Sequence, residues 1–143
     1  MKVLFLCTGN SCRSQMAEGW CRSLLGGAGF QAFSAGTSPS ALDPLAIEVM
    51  AEAGVDISGN RSKHLESLDC TDFDLVVTVC DAARENCPVL PGAARKIHKS
   101  FDDPPYLARK AASKDEALEV YRRVRDEIRA FVESLPTLSA EAE

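Results

Sequence analysis

Lys2-Val-Leu-Phe-Leu-Cys-Thr-Gly-Asn-Ser-Cys-Arg-Ser14 stands at the head of the chain. Four of the five residues from Lys2 to Leu6 are apolar, the pattern of a strand buried on both faces. At Cys7 the composition changes abruptly to cysteine, glycine, asparagine, serine and arginine. A packed core gains nothing from this mixture, whereas an anion held at a backbone turn would use it. From Ser14 onward Met16, Ala17, Trp20, Cys21, Leu24 and Leu25 recur at helical spacing, and Gly26-Gly27 ends the run. Strand, polar loop and helix start make an anion cradle, with unpaired N–H groups and the helix dipole aimed at one point. Gly9 permits backbone angles that side chains resist, and Asn10 tolerates the left-handed region. Arg13 adds a planar fork of donors. Cys7 faces the same donors, so its thiol is expected to ionise at about pH 3.5–7.5 and to serve as a nucleophile, with Ser14 donating to it. The nucleotide-binding pattern G-x-x-x-x-G-K is absent.

The rest of the chain alternates strands and helices. Gln31–Ala35 reads as a strand ended by Gly36, and Asp43-Pro44 as an N-cap and first helical residue opening a helix from Leu45 to Ala53. A short helix is expected over Lys63–Leu68, a central parallel strand over Asp74–Val79 and a weaker strand over Arg95–His98. Ser113-x-x-Glu116 is a capping box, and Ala117, Tyr121, Val124, Ile128, Phe131 and Leu135 form one helical stripe after it. This order predicts an α/β fold: three layers, with a four-stranded parallel sheet flanked by helices. Ligands of such sheets lie beyond the carboxyl ends of the strands, where Cys7 and Cys80 both stand. Residues 1–136 are expected to form a single domain, and residues 137–143 a frayed acidic tail.

The net charge of −5 argues against a nucleic-acid binder, so an anionic substrate would rely on a local positive site. No stretch approaches the roughly 18 apolar residues of a membrane span, and the leading apolar run is too short for a signal peptide, which points to the cytoplasm. Six cysteines in such a compartment are not expected to form a disulfide framework. Cys21 and Cys70 read as small buried hydrophobes. Cys7-x4-Cys12 and Cys80-x6-Cys87 fit no common zinc spacing, and His64 and His98 stand alone, so no metal is expected.

The loop Cys7-Thr-Gly-Asn-Ser-Cys-Arg-Ser14 resembles the phosphate-binding loop of the low-molecular-weight protein tyrosine phosphatase superfamily. Its continuation Gln15-Met-Ala-Glu-Gly-Trp20 is more similar to the thioredoxin-coupled arsenate reductases built on that fold. Phe33-Ser-Ala-Gly36, Thr78-Val-Cys-Asp81 through Cys87-Pro88, and Asp103-Pro104 extend the resemblance over nearly the whole chain. It implies Cys7 as nucleophile, Arg13 and the loop residues Thr8, Gly9, Asn10, Ser11, Cys12 and Ser14 as the oxyanion site, and Asp103 as general acid. Asp102 precedes Asp103 as a second carboxylate, so that assignment rests on the Asp-Pro pairing alone.

Phosphate and arsenate are near-isosteric, and Cys80 with Cys87 separates the two chemistries. The resemblance implies a three-cysteine relay from Cys7 to Cys80 to Cys87, with thioredoxin as the final reductant, although glutaredoxin or a small thiol is an alternative. Arsenate would then be the substrate, phosphate or sulfate a competing oxyanion, and a monomer the working unit. The alternatives are a phosphotyrosine or phosphomonoester phosphatase using Cys7, Arg13 and Asp103, and a non-catalytic carrier. Some of these reductases bind potassium at positions like Asn10, Glu18 and Ser34. Here Arg61 and Lys63 replace two further ligands, so no cofactor is expected; Lys63 is expected either to reach Glu18 and stand in for the ion or to be a solvated surface lysine. Finally, the segment from Cys80 to about Pro91 is expected to unwind on forming the Cys80–Cys87 bond, because a helix would hold the pair about 10 Å apart.

Overall fold

The structure is a computed structural model that describes residues 1–68, 72–80 and 95–141. Its sheet holds β1 (Lys2–Cys7), β2 (Gln31–Gly36), β3 (Leu75–Thr78) and β4 (Arg95–His98) in the order β2-β1-β3-β4. All three pairings are parallel. Lys2 pairs with Gln31 and Cys7 with Gly36, while Val3 to Leu6 pair with Leu75 to Thr78. This central position removes Val3, Leu4, Phe5 and Leu6 from water entirely, which explains the unbroken apolar run. The four-stranded parallel α/β architecture flanked by helices is the one the sequence predicts.

Helix α1 (Arg13–Leu25) is buried nearly all round between Ser14 and Cys21. Met16, Ala17, Trp20 and Cys21 enter the core, whereas the buried polar residues Gln15 and Glu18 turn toward the loop. Gly19 is where Ile57 comes closest: a Cβ there would meet Ile57 Cγ2 at 2.8 Å. Helix α2 (Pro44–Glu52) is capped by Asp43, whose carboxylate accepts from the Leu45 N–H. The expected Lys63–Leu68 helix is shorter, a single 3-10 turn at Leu65–Ser67 capped by His64 Nδ1. Five-residue helix α3 (Pro104–Ala108) follows β4, and α4 (Lys114–Glu141) closes the chain against α1, α2 and α3.

Every member of the predicted α4 stripe, from Ala117 to Leu135, is buried. The Ser113 hydroxyl accepts from Glu116 N–H, and Glu116 accepts from Ala112 N–H, a capping box displaced by one residue on its return side. The expected tail from 137 is corrected by the same helix, which continues through Pro136 to Glu141. Proline supplies no N–H there, but Leu138 prolongs the apolar stripe and the Ser139 carbonyl accepts from Arg95 of β4 at 2.7 Å. Tertiary anchoring outweighs the lost helical hydrogen bond. Among the described residues no helix is long and apolar enough to cross a membrane. Cys70, Cys87 and the expected unwinding of the segment after Cys80 lie outside the described residues.

Candidate active site

Residues 7–13 lead from the end of β1 into α1, and the carbonyls of residues 7–11 are directed away from the turn. Thr37 N–H donates to Cys7 O, Ser38 N–H to Thr8 O, Ser40 N–H to Gly9 O and Asp43 N–H to Ser11 O. The Asn10 carbonyl accepts from Ser62 Oγ at 2.6 Å and from Gln15 Nε2 at 3.1 Å. Five successive carbonyls are thus held from outside, most of them by the segment 37–43 lying along the loop. A peptide whose C=O faces outward aims its N–H the other way, so the turn becomes a cup of amides. Gly36 permits the close approach: a Cβ there would come within 2.5 Å of the Thr8 carbonyl.

Asn10 takes the left-handed conformation, φ 47°, as expected of a loop asparagine. Its Oδ1 accepts from Gln15 Nε2 and from the Lys63 N–H, while its Nδ2 donates to Ser14 Oγ at 2.9 Å. The Ser14 hydroxyl oxygen thus serves Asn10 as an acceptor. Gln15 and Ser62, two supports that the sequence reading missed, join Asn10 and Lys63 in one network. The signal for Gln15 was a long polar residue on the buried side of α1.

The loop opens on a cleft of about 240 Å³ lined by Cys7, Thr8, Gly9, Ser11, Cys12, Arg13, Asp103 and Pro105. Arg13 is fixed by a 2.9 Å hydrogen bond to the Phe101 carbonyl and stands 3.8 Å from Asp103. Asp102 points elsewhere, to Arg123 of α4 at 3.1 Å. The geometry thus separates the two carboxylates that the sequence left ambiguous. If Asp103 is the proton donor, Asp103→Asn should lower turnover by on the order of 10² or more. Asp102→Asn, which removes only an exposed ion pair, should stay within about twofold. Comparable kcat losses in both variants would contradict this division.

Cys80 packs against Cys7, which lines the cleft. Cys7 Sγ donates to Cys80 Sγ at 3.5 Å, and Thr8 Oγ1 lies 3.4 Å from Cys80 Sγ. Both thiols are buried and neither is in a disulfide. The expectation of a depressed Cys7 pKa is corrected here. The hydrogen bond to Cys80 and burial push it well above the ordinary thiol value, against the downward pull of Arg13 and the Thr8 N–H. Cys12 is also a buried thiol, raised by burial and by Asp43.

A second cluster lies behind the loop. Glu18 accepts from Ser34 Oγ at 3.1 Å and Asn60 Nδ2 at 3.0 Å, and pairs with Arg22 at 3.3 Å. Lys63 Nζ stands 3.9 Å from Glu18 Oε1. Burial depresses the Lys63 pKa while Glu18 supports its charge. Oxygens already engaged by donors, with an ammonium group beside them, do not fit a potassium ion.

A buried thiol facing an amide cup, an arginine fork and a carboxylate beside it, at the carboxyl end of a four-stranded parallel sheet, define the class as an oxyanion-site α/β fold. The family described as low molecular weight phosphotyrosine protein phosphatase matches residues 2–141, and the chain belongs to it. Within it, similar relatives by sequence include arsenate reductases. Arsenate reductase 2 of Staphylococcus epidermidis is 45% identical over 135 residues, 94% of this chain and 95% of its own. The arsenate reductase of Bacillus subtilis is 44% identical over 126 residues, 88% of each chain. A solved arsenate reductase in the phosphate binding state superposes with a TM-score of 0.72 at 34% identity, covering 99% of this chain and 98% of its own. The low molecular weight protein tyrosine phosphatase of T. tengcongensis does so with a TM-score of 0.76 at 30% identity, covering 96% and 98%.

Proposed function

We propose that this chain reduces arsenate to arsenite through a cysteine relay and so serves arsenic detoxification, as a cytoplasmic monomer. The observation that carries the reading is the second thiol, Cys80, held 3.5 Å from the Cys7 sulfur that lines the cleft. Ester hydrolysis has no use for that thiol, whereas a two-electron reduction requires it.

Arsenate enters with its oxygens on the loop N–H groups and Arg13. Cys7 sulfur bonds to arsenic and one As–O bond breaks. The thiol proton leaves with that oxygen as water, with Asp103 relaying it. Cys80 sulfur then attacks Cys7 sulfur. The electron pair of the Cys7–arsenic bond stays on arsenic, which falls from the pentavalent to the trivalent state, and arsenite departs with the Cys80 proton. Cys87 takes over by attacking Cys80, freeing Cys7 and leaving a Cys80–Cys87 disulfide for an external dithiol protein of the thioredoxin type. Phosphate or sulfate would occupy the same cup without this redox step.

The competing phosphatase reading draws on the family itself and on Asp103. It is weakened by the cleft wall, where Pro105 lines the opening while Tyr106 is exposed beneath the Arg109 guanidinium. Lys63 fills the place of a cation behind the loop, which predicts a reductase indifferent to potassium. The test supplies arsenate, thioredoxin, thioredoxin reductase and NADPH, in potassium or sodium salts at equal ionic strength. Arsenate-dependent NADPH consumption at similar rates in both salts is expected. Turnover of an aryl phosphate without NADPH consumption would overturn the reductase reading, and a several-fold gain in potassium would overturn the role of Lys63.

A further inference from the structure

Cys7 lines a cleft of about 240 Å³, and Cys80, a second buried thiol outside any disulfide, holds its sulfur 3.5 Å from that of Cys7. Soft thiolate ligands favour thiophilic centres, and the pyramidal trivalent state of arsenic holds its ligands near right angles. Two sulfurs on one such atom come to rest close to their van der Waals separation, which is where this pair already stands. Little rearrangement is needed to bridge them.

The surroundings choose among thiophiles. Arg13 and the inward amides disfavour a soft divalent cation such as mercury or cadmium. Arsenous acid is neutral at physiological pH, and once bound it retains one hydroxyl. That hydroxyl faces the amide cup and Arg13, donors suited to an oxygen.

We propose that the reduced chain binds trivalent arsenic as a cyclic dithiolate across Cys7 and Cys80, a dead-end complex distinct from any turnover intermediate. The two thiols condense with arsenous acid: two S–As bonds form, two As–OH bonds break, and both thiol protons leave in two molecules of water. No oxidation state changes, so no reductant is required. Binding needs no turnover; as product retention, it rests on the reductase reading. Accumulating arsenite would then throttle the reduced enzyme, and a competing small dithiol would release it.

Sodium arsenite is the probe. Reduced protein is incubated with and without it, alkylated under native conditions, and each cysteine is mapped by mass spectrometry. Protection confined to Cys7 and Cys80 is expected. Arsenite affinity, followed by near-ultraviolet S–As absorbance, should fall by about 100-fold or more in Cys7→Ser and in Cys80→Ser, through loss of the second thiol's effective concentration, and should persist in Cys87→Ser. Protection of Cys80 with Cys87, or of no cysteine, overturns the proposal, as does affinity that survives Cys7→Ser. The mapping uses wild-type protein and stands even if a variant fails to fold. Protection without arsenate turnover would refute the reductase reading alone; turnover without protection would refute only the dithiolate.

Discussion

Cys7→Ser should abolish arsenate turnover, a loss of at least about 10³-fold, while the protein keeps its fold and its affinity for oxyanions. The sulfur sits at the end of β1, buried, with the loop N–H groups in front and Cys80 behind. Serine preserves the volume to within one atom and leaves the amide cup intact, since the cup is held by the segment 37–43 and not by the side chain. What disappears is a nucleophile able to attack at neutral pH and a sulfur able to be released by disulfide formation. Circular dichroism and phosphate binding by calorimetry should match the wild type while NADPH consumption falls to background. Appreciable turnover in this variant would refute the assignment of Cys7.

Cys80→Ser should stop reduction just as completely but at a later stage. The sulfurs need to close from 3.5 Å to a bond of about 2.05 Å, a displacement that side-chain rotation and a small shift of the strand end can supply. With serine at 80 no disulfide forms and the electron pair has no route onto arsenic. The first displacement remains intact, so any hydrolysis of an aryl phosphate through Cys7, Arg13 and Asp103 should survive within a few-fold. Loss of arsenate reduction with retention of aryl phosphate hydrolysis is the expected signature. Arsenite production undiminished in Cys80→Ser would overturn the relay.

The sheet was legible because its signals are local. An apolar run ended by a polar loop marks β1, and the runs at Leu75–Thr78 and Arg95–His98 mark β3 and β4 to within a residue or two. Cys7, Arg13 and the loop announced themselves through residue types that a core does not use. The outer scaffold of the loop did not, since the donors from Thr37, Ser38, Ser40 and Asp43 are main-chain N–H groups, which every residue but proline carries. The raised Cys7 pKa was misjudged for a related reason. Its largest cause is Cys80, 73 residues away along the chain, and no local pattern reports that distance. The tail beyond 136 failed as local reasoning fails at proline, because Leu138 and the Arg95–Ser139 contact are tertiary. Asp102 and Asp103 could be told apart only by their partners, Arg123 and Arg13.

The outward-turned carbonyls of residues 7–11 have a consequence for chemical discrimination. A cup of backbone amides senses charge and tetrahedral shape, and phosphate offers both in nearly the same measure as arsenate. Admission to the cleft therefore cannot be the sorting step, and no substitution at Thr8 or Ser11 would make it one. The sorting falls to departure. Pentavalent phosphorus is not reduced by a thiol, so a phosphate visitor leaves in the oxidation state in which it came. Arsenic leaves reduced, stripped of the charge that brought it in, and fidelity is achieved kinetically by a site that is thermodynamically almost blind.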